Sequence, residues 1–244
     1  MLAVEEPLEI RVDGTEVAVT MRTPAPGNDS ELALGFLLGE GIVALDDVAR
    51  ISECGSTPDG GVVDVRLWPG ASPADGWQRN FYASSSCGIC GKASIDAVRL
   101  AAEPVPDGPV FEHDTLIRLP GALRAAQRVF ERTGGLHAAG LFDQAGELTI
   151  LREDVGRHNA VDKAIGGAAM DRQLPLHDRV LMVSGRASFE IVQKAVAAGL
   201  PLVAAVSAPS TLAVRLAQES NLTLVGFLRE GGFNVYAGRE RVGL

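Results

Sequence analysis

The sequence predicts an α/β protein: a C-terminal three-layer α/β/α sandwich preceded by a smaller N-terminal α+β domain. Three observations predict it. From about residue 119 onward, helical and strand-like segments alternate in the order α-β-β-α-β-α-β-α-β, the pattern of a sheet with helices on both faces. The runs VLMV (180–183) and LVAAV (202–206) are continuously apolar, as strands covered on both sides must be, which points to a mainly parallel sheet. The first third instead shows short alternating strands around one helix. The expected division is residues 1–78 for the N-terminal domain, 79–110 for a cysteine-bearing loop and connecting segment, and 111–244 for the sandwich.

Each element has a local cause. LEIRVDGTEVAVTMRT alternates like a strand pair and is broken at Asp13-Gly14, a hairpin signal. Asn28-Asp29-Ser30 should cap the helix ELALGFLLGEG, which glycines close. VARISEC and VVDVRLW are strands, and PGASPADG between Trp68 and Trp77 is a loop or boundary. LPGALRAAQRVFERTGG is one amphipathic helix with Leu123, Ala126, Val129 and Phe130 on one face and a glycine stop. HAAGLFD and ELTILRED are strands joined at Gln144-Ala145-Gly146. Helix GRHNAVDKAIGGAAM, strand DRVLMVSG, helix ASFEIVQKAVAAG, strand PLVAAVS, helix STLAVRLAQESN and strand LTLVGFLRE follow, with FNVYAG after them.

Composition excludes several classes. The chain has 244 residues, 46% hydrophobic and 22% charged, enough to bury a full core. Twenty-two basic against 31 acidic residues give a net charge of −9, which argues against non-specific nucleic-acid binding. No apolar run reaches the roughly 18 residues of a membrane span, and the acidic start MLAVEEPLEIRVDG lacks the order of a signal peptide. Three cysteines, an odd number, exclude a disulfide framework. The expectation is a cytoplasmic globular protein with reduced thiols, with neither nucleic acid nor membrane as partner. Only three basic residues are lysines, Lys92, Lys163 and Lys194. Where arginine is the default cation, a lysine is either there by chance or marks a place for a compact ammonium.

The motifs that can carry chemistry fall in five places. In SSSCGICGK, Cys87 and Cys90 lie three apart among serines and glycines, beside Lys92. That setting suits a reactive thiol with a lowered pKa; the competing reading is half of a zinc site, for which two more ligands are needed. In REDVGRHNAVDK, Asp154 can cap a helix start and Gly156 permits a tight turn. His158 with Asp162, and Asn159 with Lys163, are spaced to share faces; the plainer alternative is a solvated helix. In VLMVSGRASFEIVQK, Ser184-Gly185-Arg186 ends a strand and Ser188 starts a helix, where an open α/β sheet collects phosphate ligands; an ordinary β-to-α turn is the other reading. Thr133-Gly134-Gly135 reads as a helix C-cap, with His137 at the next strand's start. Phe227-Leu228-Arg229-Glu230-Gly231-Gly232 reads as a strand and turn, either a plain hairpin or an anion-binding edge.

Taken together, SSCGICGK, TGGLHAAGLF, REDVGRHNAVDK, VSGRASFE and GFLREGGFNVY resemble the FdhD family of formate dehydrogenase accessory sulfurtransferases. EEPLEIRVDG and TMRTPAPGNDSELALGFLLGEGI resemble that family's N-terminal region, so the similarity spans nearly the whole chain. The resemblance implies a C-terminal domain of cytidine-deaminase-like fold. It implies a cytosolic, homodimeric sulfur carrier that accepts persulfide sulfur from a cysteine desulfurase and passes it to the molybdenum cofactor, bis-molybdopterin guanine dinucleotide, destined for formate dehydrogenase. By the same resemblance Cys87 is the persulfide carrier, with Cys90 shielding, resolving or relaying the sulfur. Phe227, Leu228, Arg229, Glu230, Gly231 and Gly232 map onto the cofactor segment. Gly232 stands where many members carry a basic residue. Arg186, His158 and Asn159, with Arg157 and Lys163, are further candidates for that phosphate-rich pocket, and a guanine nucleotide is the natural surrogate ligand. No bound metal is expected.

Two other classes compete. A zinc-dependent nucleobase deaminase needs His-x-Glu before Pro-Cys-x-x-Cys, but the four histidines here read HDT, HAA, HNA and HDR, and the cysteine pair precedes the core. A non-catalytic cofactor-docking chaperone would keep its activity without Cys87.

Overall fold

The computed structural model describes residues 1–24, 27–57, 60–74 and 104–243. Cys87, Cys90 and Lys92 lie outside the described residues. In chain order the strands are β1 (Glu6–Val12), β2 (Thr15–Arg22), β3 (Val48–Thr57), β4 (Gly60–Leu67), β5 (Phe111–Glu112), β6 (His137–Phe142), β7 (Leu148–Asp154), β8 (Val180–Val183), β9 (Leu202–Ala205), β10 (Thr223–Arg229), β11 (Gly232–Ala237) and β12 (Val242–Gly243). The helices are α1 (Asp29–Gly39), α2 (His113–Leu116), α3 (Leu119–Ala126), α4 (Arg128–Thr133), α5 (Arg157–Met170), α6 (Phe189–Ala197) and α7 (Thr211–Glu219).

The N-terminal sheet has the order β2-β1-β4-β3. Asp13 and Gly14 both take positive φ, the mirror-image turn whose twist matches a hairpin. Leu8, Ile10, Val12, Val63 and Val65 alternate onto one face and pack against Leu32, Ala33 and Leu37 of α1. The expected side-chain cap on α1 is absent: Asn28 is left-handed and makes no cap bond. Asp29 instead accepts two hydrogen bonds from the buried Arg22, both 2.9 Å. The expected glycine closure also shifts, because Gly35 and Gly39 lie inside α1 and the left-handed stop is Gly41.

The second sheet runs β11-β10-β9-β8-β6-β7. Strand β8 pairs in parallel with β9, and β9 with β10, whereas β6 is antiparallel to both β7 and β8, and β11 to β10. The sheet is therefore mixed rather than mainly parallel: three antiparallel pairings, β11 with β10, β8 with β6 and β6 with β7, stand against two parallel ones. Every residue of β8 and β9 is buried, as their continuous apolar runs require. Leu181 and Val183 face α5, α6 and α7. Val180 and Met182 face Leu116, Leu119 and Leu123 on the opposite side. This is the three-layer α/β/α arrangement, with α1 packed outside α5.

The single helix expected over 119–135 is two. Gln127 leaves the helical region at ψ 78, and the Glu153 carboxylate, from β7, accepts the Val129 and Phe130 amides at 2.9 and 2.7 Å. A distant acidic side chain thus caps α4 and permits the break. No helix among the described residues is long and apolar enough to cross a membrane.

Candidate functional site

One edge of the large sheet gathers most of the sequence-derived site residues, and topology explains why. The carboxyl ends of β8, β9 and β10 point one way. Because β6 is antiparallel to β8, it brings its first residue, His137, to that same edge, and β7 delivers Asp154 beside it. Helix α5 then starts there. Ser184 fastens the join: its Oγ accepts the Ala138 amide at 2.9 Å, and its own amide donates to Ala138 O at 3.0 Å. The Ser207 amide donates to Gly185 O at 3.4 Å, and the Phe227 amide to Ser207 O at 3.2 Å. The three strand ends thereby form a continuous rim. A Cβ on Gly185 would sit 3.4 Å from His137 Nδ1, so the rim is closely packed there.

Phe227 is the conformational outlier of this edge. It adopts φ +53 and yet the residue is 42% exposed, a combination a bulky residue rarely takes. Of the segment 227–232, Arg229, Glu230 and Gly231 are exposed and Gly232 takes φ +128. Leu228 is fully buried in the core below; it fixes the segment rather than facing a ligand. Arg186 is exposed beside the rim.

The charged residues of α5 are placed differently from their sequence spacing. His158 Nε2 lies 2.9 Å from Ser188 Oγ and its Nδ1 3.4 Å from Glu190 Oε2; it does not pair with Asp162. Burial first, then Arg157 and Lys194, press its pKa down to about 3, so the imidazole is neutral at physiological pH. His137 is lowered likewise, by burial and Arg157. Asn159 is buried, and its amide donates to Met21 O at 2.7 Å and Asp154 Oδ1 at 3.1 Å. Lys163, expected as a phosphate ligand, is an interior cation: it is fully buried, 2.7 Å from Asp154 Oδ2, and donates to Thr23 O at 3.0 Å. Both residues therefore pin β2 to the start of α5. Asp154 serves the turn by accepting the Gly156 amide at 2.9 Å, while Gly156 itself takes the cap position.

A second buried cluster went unread in the sequence. The fully buried Lys194 lies 2.8 Å from Asp162, 3.5 Å from Glu40 and 3.6 Å from Glu190. Burial, aided by Glu190 and Glu40, pushes Asp162 up to about 7 against the pull of Lys194. Burial opposes the lysine charge, but the three carboxylates outweigh it and raise its pKa. Glu190 links this cluster to His158. The sequence signals were the Glu190–Lys194 spacing of four and the rarity of lysine; Asp162 arrives from α5 and Glu40 from the end of α1.

Comparison with known proteins agrees on one family. The sequence model of the FdhD/NarQ family matches residues 3–243. A Streptomyces avermitilis protein named sulfur carrier protein FdhD is 58% identical over 253 residues, covering 100% of this chain and 89% of that protein. The identically named proteins of Mycobacterium tuberculosis and Sulfurisphaera tokodaii are 54% and 44% identical, each covering 99% of this chain and 91% of its own. The crystal structure of a putative formate dehydrogenase accessory protein from Desulfotalea psychrophila shares the fold, with a TM-score of 0.77 at 24% identity, covering 99% of this chain and 90% of that one.

Proposed function

We propose, from the premise that this chain belongs to the FdhD/NarQ family, that it is a sulfur carrier required for formate dehydrogenase activity. The observation that carries this reading is identity of up to 58%, over the whole chain, to proteins named sulfur carriers. In the proposed cycle Cys87, as thiolate, attacks the outer sulfur of a cysteine desulfurase persulfide. The new S–S bond forms as the old one breaks, and the desulfurase cysteine leaves as thiolate. Cys90 resolves, shields or relays the persulfide. The outer sulfur then passes to the molybdenum of bis-molybdopterin guanine dinucleotide, bound as substrate before its insertion into formate dehydrogenase: the S–S bond at Cys87 breaks, Cys87 is restored as thiolate, and the metal gives up the two electrons that bring the sulfur to the sulfide level. The protein works in the cytoplasm as a homodimer.

The rim of the large sheet suits such a phosphate-rich guest. The exposed Phe227 ring offers a stacking face, and Arg186 and Arg229 offer guanidinium groups for phosphate. His158 lines the same edge, while Glu230, Gly231 and Gly232 form the hairpin over it. Asn159 and Leu228 act from beneath, holding α5 and the strand in place.

Intact mass after incubation with a cysteine desulfurase and cysteine tests the carrier reading. The wild type is expected to gain one sulfur, about 32 Da, and Cys87→Ala none; an equal gain in both, or none in either, overturns it. Calorimetry with GDP tests the pocket. Arg229→Ala and Arg186→Ala should each weaken binding about tenfold, the scale of one charge-assisted contact. Absent binding, or unchanged affinity in both variants, removes the pocket from this edge.

A further inference from the structure

Ser188 and Ser210 begin consecutive helices, α6 and α7, in nearly the same way. Their backbones are both extended, φ −84 with ψ 166 and φ −84 with ψ 159. The residues before them, Ala187 and Pro209, pair directly in a parallel bridge. Ser210 does what a serine at a helix start ordinarily does: its Oγ accepts the Ala213 amide at 3.2 Å. Ser188 makes no such bond. Its hydroxyl lies instead 2.9 Å from His158 Nε2, forgoing the cap.

The rest of the arrangement gives that diversion a chemical sense. His158 Nδ1 lies 3.4 Å from Glu190 Oε2; the tautomer with its proton on Nδ1, toward that carboxylate, leaves Nε2 to accept the serine proton. The other oxygen of Glu190 lies 3.6 Å from Lys194, which is anchored in turn on Asp162 at 2.8 Å. The carboxylate is thus held from behind by a buried ammonium. With its proton engaged by His158, Ser188 Oγ keeps its lone pairs for the outside. Ser188 is half-buried, not sealed. Nucleophile and orienting carboxylate come from the start of α6 and the base from α5, and this connectivity recurs on unrelated folds.

We propose that Ser188, His158 and Glu190 form a nucleophile–base–carboxylate triad and that this protein reacts with carboxylic esters at Ser188, an activity separate from sulfur carriage. In the acylation step the Ser188 Oγ–carbonyl carbon bond forms while the serine proton passes to His158 Nε2. The carbon–alkoxide bond then breaks, and the alkoxide leaves with that proton. Water hydrolyses the acyl-serine through the same histidine, releasing the acid and restoring the hydroxyl. Glu190 and Lys194 touch neither ester nor nucleophile; they are positioning residues acting through His158.

Diisopropyl fluorophosphate, applied to the full chain and read by intact mass and peptide mapping, tests the triad. The Ser188 oxygen–phosphorus bond forms, the phosphorus–fluorine bond breaks, fluoride leaves, and the serine proton departs through His158. One diisopropylphosphoryl group on Ser188 is expected, with none on Ser188→Ala, which loses one oxygen only. His158→Gln should slow labelling about tenfold, less than a general base poised near neutrality supplies, because burial holds His158 below that range. Glu190→Gln should slow it less and move its pH profile, whereas Ser210→Ala should label like the wild type. p-Nitrophenyl acetate should show a burst of nitrophenol in the wild type and none in Ser188→Ala. No adduct, an adduct on another residue, or an unchanged rate in His158→Gln overturns the proposal. These readings concern a serine adduct and the carrier reading concerns a Cys87 mass shift, so either fails independently.

Discussion

Replacing Gly166 by alanine is expected to destabilise the protein by about 3 kcal/mol, although alanine is the better helix former by about 1 kcal/mol. The sign is the informative part. A Cβ on Gly166 would lie 1.9 Å from Glu31 O and 2.9 Å from the Gly35 amide nitrogen, and a Cβ on Gly35 would lie 1.9 Å from Asp162 O. The obstacles are backbone atoms of a facing helix, so no side chain can swing aside. Helices α1 and α5 must separate, which breaks the contact between the two halves. Arg152 resists that separation, since its guanidinium holds both oxygens of Glu31. The pair Gly35→Ala and Gly166→Ala should cost less together than the sum of the single changes, because one displacement serves both. Urea unfolding of the three variants measures this. A Gly166→Ala protein as stable as the wild type, or more stable, would mean that α1 and α5 do not approach this closely.

That crossing also shows where sequence reading runs out. In ELALGFLLGEG and DKAIGGAAM, glycine looks like a stop or a weak point, because local propensity is all that spacing conveys. What makes Gly35 and Gly166 necessary is a partner over a hundred residues away. The same limit hid the break at Gln127, whose enabling group is Glu153 on a strand. It also hid the antiparallel placement of β6, which no periodicity encodes. By contrast Asp13-Gly14, the apolar runs of β8 and β9, and the helices α5, α6 and α7 were legible, because their causes are local. The site was legible as a list of segments but not as a set of contacts. Ser184, Gly185, Arg186, His158 and Phe227 do share an edge; Asn159, Lys163 and Leu228 come from the same motifs but turn inward. Cys87 and Cys90, read from their serine- and glycine-rich setting and from the family resemblance, lie outside the described residues.

The scarcity of lysine, in contrast, pointed at something physical. Lys163 and Lys194 are both fully buried, each close to an aspartate. A compact ammonium fits where a planar guanidinium would need a wider cavity and more acceptors. The two lysines bracket the site: Lys194 stands behind Glu190 and His158, and Lys163 stands behind the turn that starts α5. Interior charge at this edge therefore holds the rim's outward-facing groups in register.

Lys163→Met is expected to lower stability by about 3–5 kcal/mol, the cost of leaving a buried carboxylate without its counter-charge. Asp154 is wholly buried and accepts four donors: Lys163 at 2.7 Å, the Thr23 amide at 3.0 Å, the Gly156 amide at 2.9 Å and Asn159 at 3.1 Å. Three are neutral, so the lysine alone balances the charge. Asp154→Asn should cost a similar amount by stranding the ammonium. The double variant Lys163→Met/Asp154→Asn should be more stable than the sum of the two predicts, with a coupling of about 2 kcal/mol or more, because it removes both charges together. Lys163→Arg should not restore the wild-type value, for want of space. Loss of the pair should also loosen β2 selectively, since Thr23 and Met21 are held from this cluster and from Asn159. Faster hydrogen exchange over Thr20–Thr23 than over β8 and β9 is the expected pattern. Additive single effects, or a Lys163→Met protein within about 1 kcal/mol of wild type, would mean that the pair is not the electrostatic pin between the N-terminal sheet and the candidate site.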